Sequence, residues 1–307
     1  MNVSAQGIGK QFGRRPALVD FTCEFLSGSV TGVVGPNGSG KTTAFRIIAG
    51  LIHGAGRVVF DGKPLTEAVI PGRVLGAHLG MRAVHPKRAA RAHLRMAARG
   101  MGVPDRRVED VLTMVGLASV ADDRPGGFSL GMSQRLALAT ALLGRPDVLL
   151  LDEPMNGLDI EGIAWLRCFL RRYADAGHVV IVSSHLLTEV ETIADRIVIL
   201  AEGRMVANST MEGLRAAVGT SRVDVRCSDP VQLALALARS GHAVTTAPDG
   251  AVSVTGSTSG EVGLVALAAG IPLRELRAVE ESLEDVYLRL TRGQSQYAFE
   301  AMREVSG

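Results

Sequence analysis

The chain has 307 residues, 47% of them hydrophobic and 21% charged, an ordinary globular composition with room for one large domain and one small one. A net charge of +2 leaves nucleic acid undecided, but aromatics at 4% are too few for the stacking platforms that hold single strands, so no nucleic-acid partner is expected. Cys23, Cys168 and Cys227 lie far apart without metal-ligand spacing, no basic apolar leader opens the chain, and no uncharged apolar run approaches the ~18 residues of a membrane span, which together predict a chain that stays reduced in the cytosol and is soluble by itself.

Residues 17–25 alternate, placing Val19, Phe21, Cys23 and Phe25 on one face of a predicted amphipathic strand. A Ser-Gly turn leads to the β-branched run 30–34, a predicted buried strand. Then come Gly35, Pro36, Asn37, Gly38, Ser39, Gly40, Lys41, Thr42 and Thr43, which match G-x-x-x-x-G-K-[ST] in full. A helical stretch follows over 44–50. Strand, glycine-rich turn and helix N-terminus form a phosphate cradle: glycines let backbone N–H groups turn inward, and the helix dipole adds partial positive charge. In such a cradle Lys41 reaches the β- and γ-phosphates and the Thr42 hydroxyl binds Mg²⁺. Residues 57–60 with the turn Asp61-Gly62 predict a hairpin, so the early chain reads as a mixed sheet around the nucleotide site.

From about residue 86 to 143 the pattern turns helical. An Ala- and Arg-rich run over 89–99 and a second run over 108–115, preceded by Asp105, are followed by the loop 122–127. This reads as a helical insert in an α/β domain. Its arginines Arg88, Arg91, Arg95 and Arg99 form either a solvated helix face or a partner surface. Ser129 is an N-cap candidate for a long helix reaching residue 143. The apolar run 148–151 ends in Asp152 and Glu153, as a strand deep in a parallel sheet does where its carboxyl end opens on the ligand crevice. Asn156-Gly157-Leu158-Asp159 precedes a helix through Tyr173. A buried strand over 179–182 ends in Ser183-Ser184-His185, and 196–206 reads as a hairpin.

Beyond Ser221 the pattern changes. Strands are predicted over 222–226, 244–246, 251–255 and 273–279. Helices are predicted from Asp229-Pro230 to Arg239, over 261–269, and after Ser282. The order β-α-β-β-α-β is that of a ferredoxin-like unit.

The first set of blocks resembles the ATP-binding subunit of an ABC transporter, over residues 1 to about 215. Residues 35–43 match the Walker A loop, 129–135 the signature, 149–153 Walker B, 156–159 the D-loop and His185 the switch histidine. Phe12-Gly13 sits where the family carries an aromatic that stacks on adenine. The tail resembles the small C-terminal domain of drug- and antibiotic-export ABC ATPases.

The resemblance implies a P-loop NTPase (ABC ATPase) α/β core over 1–215, with a helical subdomain over about 82–145. It further implies a ferredoxin-like α+β domain over 216–292 and a flexible tail over 293–307. It implies an ATPase motor that binds Mg-ATP at a dimer interface, with a second copy of the chain as partner. This motor drives export through a separate transmembrane permease, from the inner face of the cell membrane; the alternative is a soluble ABC ATPase without a permease. Lys41 and the loop would hold phosphate, Thr42 and Asp152 Mg²⁺, and Glu153 would polarise the attacking water. His185 would hydrogen-bond the γ-phosphate, and Phe12 would stack on the base. Ser129 and Gly131 would act in trans on the opposing subunit's nucleotide, with Asp159 beside them.

Two departures stand out. The signature reads Ser-Leu-Gly-Met-Ser-Gln-Arg in place of the family's Ser-Gly-Gly-Gln form, though Ser129 and Gly131 remain. Gly80 occupies the place of a glutamine that in the family contacts Mg²⁺ and senses the permease, and no Gln or Glu occurs between Glu67 and Glu109. Whether His78 or His85 takes any part is left open.

Overall fold

The computed structural model describes residues 1–80, 85–218, 222–247 and 250–279, which form two compact units, one over 1–211 and one beginning at Glu212. The first unit opens with β1 (Val3–Phe12), β2 (Arg15–Phe25), β3 (Val30–Val34), α1 (Lys41–Ile48) and β4 (Ala55–Phe60). β2, β1 and β4 make a three-stranded antiparallel sheet in the order β2-β1-β4. β3 belongs to a different, six-stranded sheet, so the expected single mixed sheet is two sheets. The expected hairpin at 57–62 is also corrected. β4 pairs with β1, and beyond the turn only one bridge, Phe60 to Lys63, forms. Pro64 follows at once and has no N–H to extend a ladder. In β2 the buried face carries Leu18 where alternation predicts Val19. Ile8 faces Phe21 but Lys10 faces Leu18, and the extra residue is taken up at Asp20, whose φ is +48°. That bulge flips the alternation.

The six-stranded sheet adds β5 (Leu75–His78), β6 (Val148–Leu151), β7 (Val179–Ser184), β8 (Arg196–Ala201) and β9 (Arg204–Thr210), in the order β5-β6-β7-β3-β8-β9. Every pairing is parallel except that of β9 with β8. No residue of β3, β6 or β7 is exposed. Their continuous apolar runs are what a parallel sheet covered on both faces requires. Leu149, Leu151, Val180 and Val182 point into one core, with helices. Leu150, Ile181 and Val198 point into the other, with Phe21, Phe25 and Phe45.

The short α2 (Pro71–Val74) precedes β5. The helical insert carries α3 (Ala90–Gly100), α4 (Asp105–Met114) and α5 (Leu130–Leu142), and α6 (Ile160–Asp175) and α7 (Leu187–Glu191) complete the layers. The arginine face of α3 is not simply solvated. Arg91 bonds Glu109 on α4 and Asp122, and Arg95 pairs with Asp105 and Glu109, tying the two helices together.

After α8 (Met211–Val218), the second unit runs β10 (Arg222–Cys227), α9 (Pro230–Arg239), β11 (Ala243–Thr246), β12 (Val252–Thr255), α10 (Ser259–Ala268) and β13 (Leu273–Val279). Its antiparallel sheet has the order β11-β12-β10-β13. Val223, Val225, Val252 and Val254 pack against Leu233, Leu237 and Val262 of the helices. Asp229 caps α9 ahead of Pro230, and Thr258 and Glu261 form a capping box on α10. The helix expected after Ser282 and the tail 293–307 lie outside the described residues.

Candidate active site

The parallel strands bring three carboxyl ends together. β3 feeds the glycine-rich turn, β6 delivers Asp152 and Glu153, and β7 delivers Ser183 and His185. The turn needs its glycines. A Cβ at Gly35 would collide with the Leu200 carbonyl oxygen, and one at Gly40, where φ is +105°, would collide with that of Ala17. Gly40 then starts α1 with no side-chain cap, so its first amides stay available to a ligand anion.

Lys41 is buried, and its Nζ donates to the carbonyl oxygens of Gly35 (2.6 Å) and Pro36 (3.3 Å). It lies 3.3 Å from Glu153 Oε1. Thr42 Oγ1 donates to Asp152 Oδ2 at 2.7 Å. Ser183 Oγ donates to Asp152 Oδ1 at 2.5 Å and accepts from the Glu153 N–H at 2.8 Å, so one hydroxyl fixes both acidic residues. Glu153 sits at φ +50°, a costly conformation for a residue with a side chain. Its Oε2 accepts from His185 Nδ1 at 2.7 Å and from the Asn156 side-chain amide at 3.4 Å. Lys41, Glu153 and His185 thus form one cluster, with Thr42 and Asp152 beside it.

This donor set fits the expected ligands. The open glycine turn and the buried ammonium suit a polyphosphate. A hydroxyl and a carboxylate in contact are hard oxygen donors that suit Mg²⁺ completed by phosphate and water. Among the described residues no group of three or more His, Cys, Asp and Glu is placed to hold a metal.

The other predicted residues lie elsewhere. Phe12 is 53% exposed at the end of β1, with Lys10 Nζ 5.6 Å from its ring centre. Ser129 caps α5 by accepting from the Met132 N–H, and Asp159 caps α6 by accepting from the Gly162 N–H. At Gly131 a Cβ would touch the Gly157 carbonyl oxygen at 3.3 Å, so the start of α5 packs on the loop that carries Asp159. Gly80 adopts φ +109°, a conformation that side chains rarely take, although the space around it is open. A glutamine there would require a different backbone.

Sequence reasoning missed the clamp made by Ser183. Its signal was present, since Ser183 ends a buried run as Asp152 does, but only the pairing of β6 with β7 sets the two side by side. It also gave no role to Gln134 or His78, which are buried and bonded to each other.

A strand–turn–helix cradle with a buried lysine, and two carboxylates at the end of the neighbouring strand, define a P-loop nucleotide-hydrolysing protein. The family profile described as ABC transporter matches residues 18–156, and a domain family of unknown function matches 221–284. The chain is 31% identical over 292 residues to an uncharacterized ABC transporter ATP-binding protein, YdbJ of Bacillus subtilis (strain 168), covering 93% of this chain and 94% of that one. It is 31% identical over 306 residues to the daunorubicin resistance ATP-binding protein DrrA3 of Streptomyces coeruleorubidus, covering 94% and 95%. A solved ATP-binding subunit of an ABC transporter superposes with a TM-score of 0.65 at 26% identity, over 71% of this chain and 94% of that one. The chain belongs to the ABC transporter ATP-binding proteins. It is an ATP-binding ATPase whose hydrolysis is coupled to transport. No helix among the described residues is long and apolar enough to cross a membrane.

Proposed function

We propose that two copies of this chain bind Mg-ATP between them and hydrolyse it to drive export through a separate permease, from the inner face of the membrane. The observation that carries the chemistry is the position of the Glu153 carboxylate, held between Lys41 and His185 on a strand end whose neighbour, Asp152, is bonded to Thr42. Lys41 and the loop amides hold the β- and γ-phosphates. Thr42 and Asp152 hold Mg²⁺, which when bound neutralises phosphate charge. Glu153 polarises the water that attacks the γ-phosphorus. Phosphoryl transfer asks for this kind of positioning and charge neutralisation more than for covalent chemistry.

His185, whose Nδ1 donates to Glu153 Oε2, hydrogen-bonds the γ-phosphate from the opposite edge of the ring. Phe12 stacks on the base. Ser129 and Gly131 of one copy face the γ-phosphate on the other. Exposed apolar side chains next to these groups, Leu130, Ile160 and Leu186, support a face that a second copy covers. Likeness to a daunorubicin resistance protein along nearly the whole chain supports export.

The test is Glu153→Gln. It should keep ATP affinity, lower the ATPase rate at least about a hundredfold as loss of a general base does, and accumulate an ATP-bound dimer in gel filtration. Turnover near the wild-type rate would remove Glu153 from this role.

A further inference from the structure

Resting on that reading of Glu153, one buried polar pair outside the phosphate loop remains without a role. His78 ends β5 and is 3% exposed, and Gln134 in α5 is 6% exposed. Their side chains hydrogen-bond across the seam between the sheet and the helical insert, His78 Nε2 with Gln134 Oε1. The small cavity around them is otherwise lined largely by apolar groups, among them Leu138, Leu151, Leu158 and Leu166. Such a pair tolerates one arrangement, because a slip leaves both groups desolvated and unpartnered.

The direction of the bond follows from its neighbours. Gln134 Nε2 donates to the main-chain carbonyl of Asn156 at 3.2 Å. A carbonyl only accepts, so the amide cannot be reversed. Gln134 Oε1 therefore faces His78, and His78 Nε2 carries the proton. His78 Nδ1 is buried with no hydrogen-bond partner. Burial also pushes the imidazole below its ordinary pKa, towards the neutral ring.

The path continues to the hydrolytic cluster. The Asn156 side chain donates to Glu153 Oε2 at 3.4 Å, and its N–H donates to the Glu153 carbonyl at 3.3 Å. On its other side the His78 carbonyl accepts the Asp152 N–H at 2.8 Å. His78 therefore reaches the acidic strand end by two routes, one through its own backbone and one through α5 and Asn156. α5 is also the helix that Ser129 caps.

We propose that His78 is a positioning residue for hydrolysis: through Gln134 it locks α5 and Asn156 to the sheet and so holds the Glu153 carboxylate in line. The experiment is steady-state ATPase of the full chain carrying His78→Leu, His78→Gln, Gln134→Leu or the His78→Leu/Gln134→Leu pair, with Glu153→Gln alongside. His78→Leu should lower kcat about tenfold, the scale of a slightly misplaced group, with an unchanged KM for ATP. His78→Gln, which can still offer an Nε2 donor, should restore most of the rate. The double variant should be no slower than the slower single one, as expected for two members of one link. A wild-type kcat in His78→Leu, additive losses in the double variant, or no rescue by Gln would each overturn the proposal. If the leucine variants do not fold, the wild-type protein decides. Nitrogen NMR of labelled histidine should place the His78 proton on Nε2, and a proton on Nδ1 alone would overturn the link. An inactive Glu153→Gln beside an unaffected His78→Leu sinks only this inference, whereas an active Glu153→Gln sinks the reading beneath it.

Discussion

The two larger sheets of the molecule are built from similar β-branched and leucine-rich strands, yet only one carries chemistry. In the six-stranded sheet β3, β6 and β7 are covered on both faces, and the reactive polar residues stand at or just beyond their carboxyl ends, where Lys41, Asp152, Glu153, Ser183 and His185 meet. In the four-stranded sheet β10 alternates, with Val223 and Val225 inward and Arg222, Asp224 and Arg226 outward in solvent-facing pairs. Double burial excludes water from the strands and leaves the carboxyl ends as the place where charges pair closely. A one-faced sheet spreads its charges over a wet surface, where ion pairs contribute little.

The largest effect that would sharpen this contrast is the loss of turnover expected for Glu153→Gln. Next comes Lys41→Ala, which removes a buried ammonium and should weaken ATP binding roughly tenfold to a hundredfold, the scale of one or two charge-assisted hydrogen bonds. Unchanged affinity by calorimetry would break the cradle reading. In the second unit, Leu237→Ala empties a fully buried site. It should lower the stability of that unit by ~2–5 kcal/mol while leaving the ATPase rate of the chain as it was. A parallel fall in rate would show that the two sheets do not divide the labour as described.

The smallest effect concerns acid. The backbone N–H and hydroxyl of Thr258 bond the Glu261 carboxylate and hold its pKa below the ordinary 4.5. A depressed carboxyl contributes stability above its unfolded value and loses it as pH falls through the folded one. Unfolding of the second unit, followed by circular dichroism, should therefore steepen below pH 4.5 in the wild type, and Glu261→Gln should flatten that slope.

Much of this was legible in the residues. The phosphate loop is a local motif, so the order strand, Gly35 to Thr43, helix could be read directly. So could the caps at Ser129 and Asp229, because capping is decided within one turn of helix, whereas the Thr258 cap of α10 went unread. The hairpin of β8 and β9 was readable too, since Glu202 and Gly203 both take positive φ at a two-residue turn. β1 was not, because Gly7 and Gly9 break its pattern and its partners lie on both sides of it in space. The face change in β2 was hidden as well, since a bulge at Asp20 follows from pairing with β1 and leaves no periodic trace.

Sequence alone thus determined which groups the protein has for its chemistry: the cradle, the acidic strand end, the histidine and the capped helix. Only the tertiary structure decided which of them touch. Parallel pairing of β6 and β7 sets Ser183 on Asp152 and Glu153, and the docking of α5 on β5 turns His78 and Gln134 into a link. Those contacts join residues tens of positions apart, and the order of strands in a sheet, which places them, is settled by packing both faces at once rather than by any local pattern.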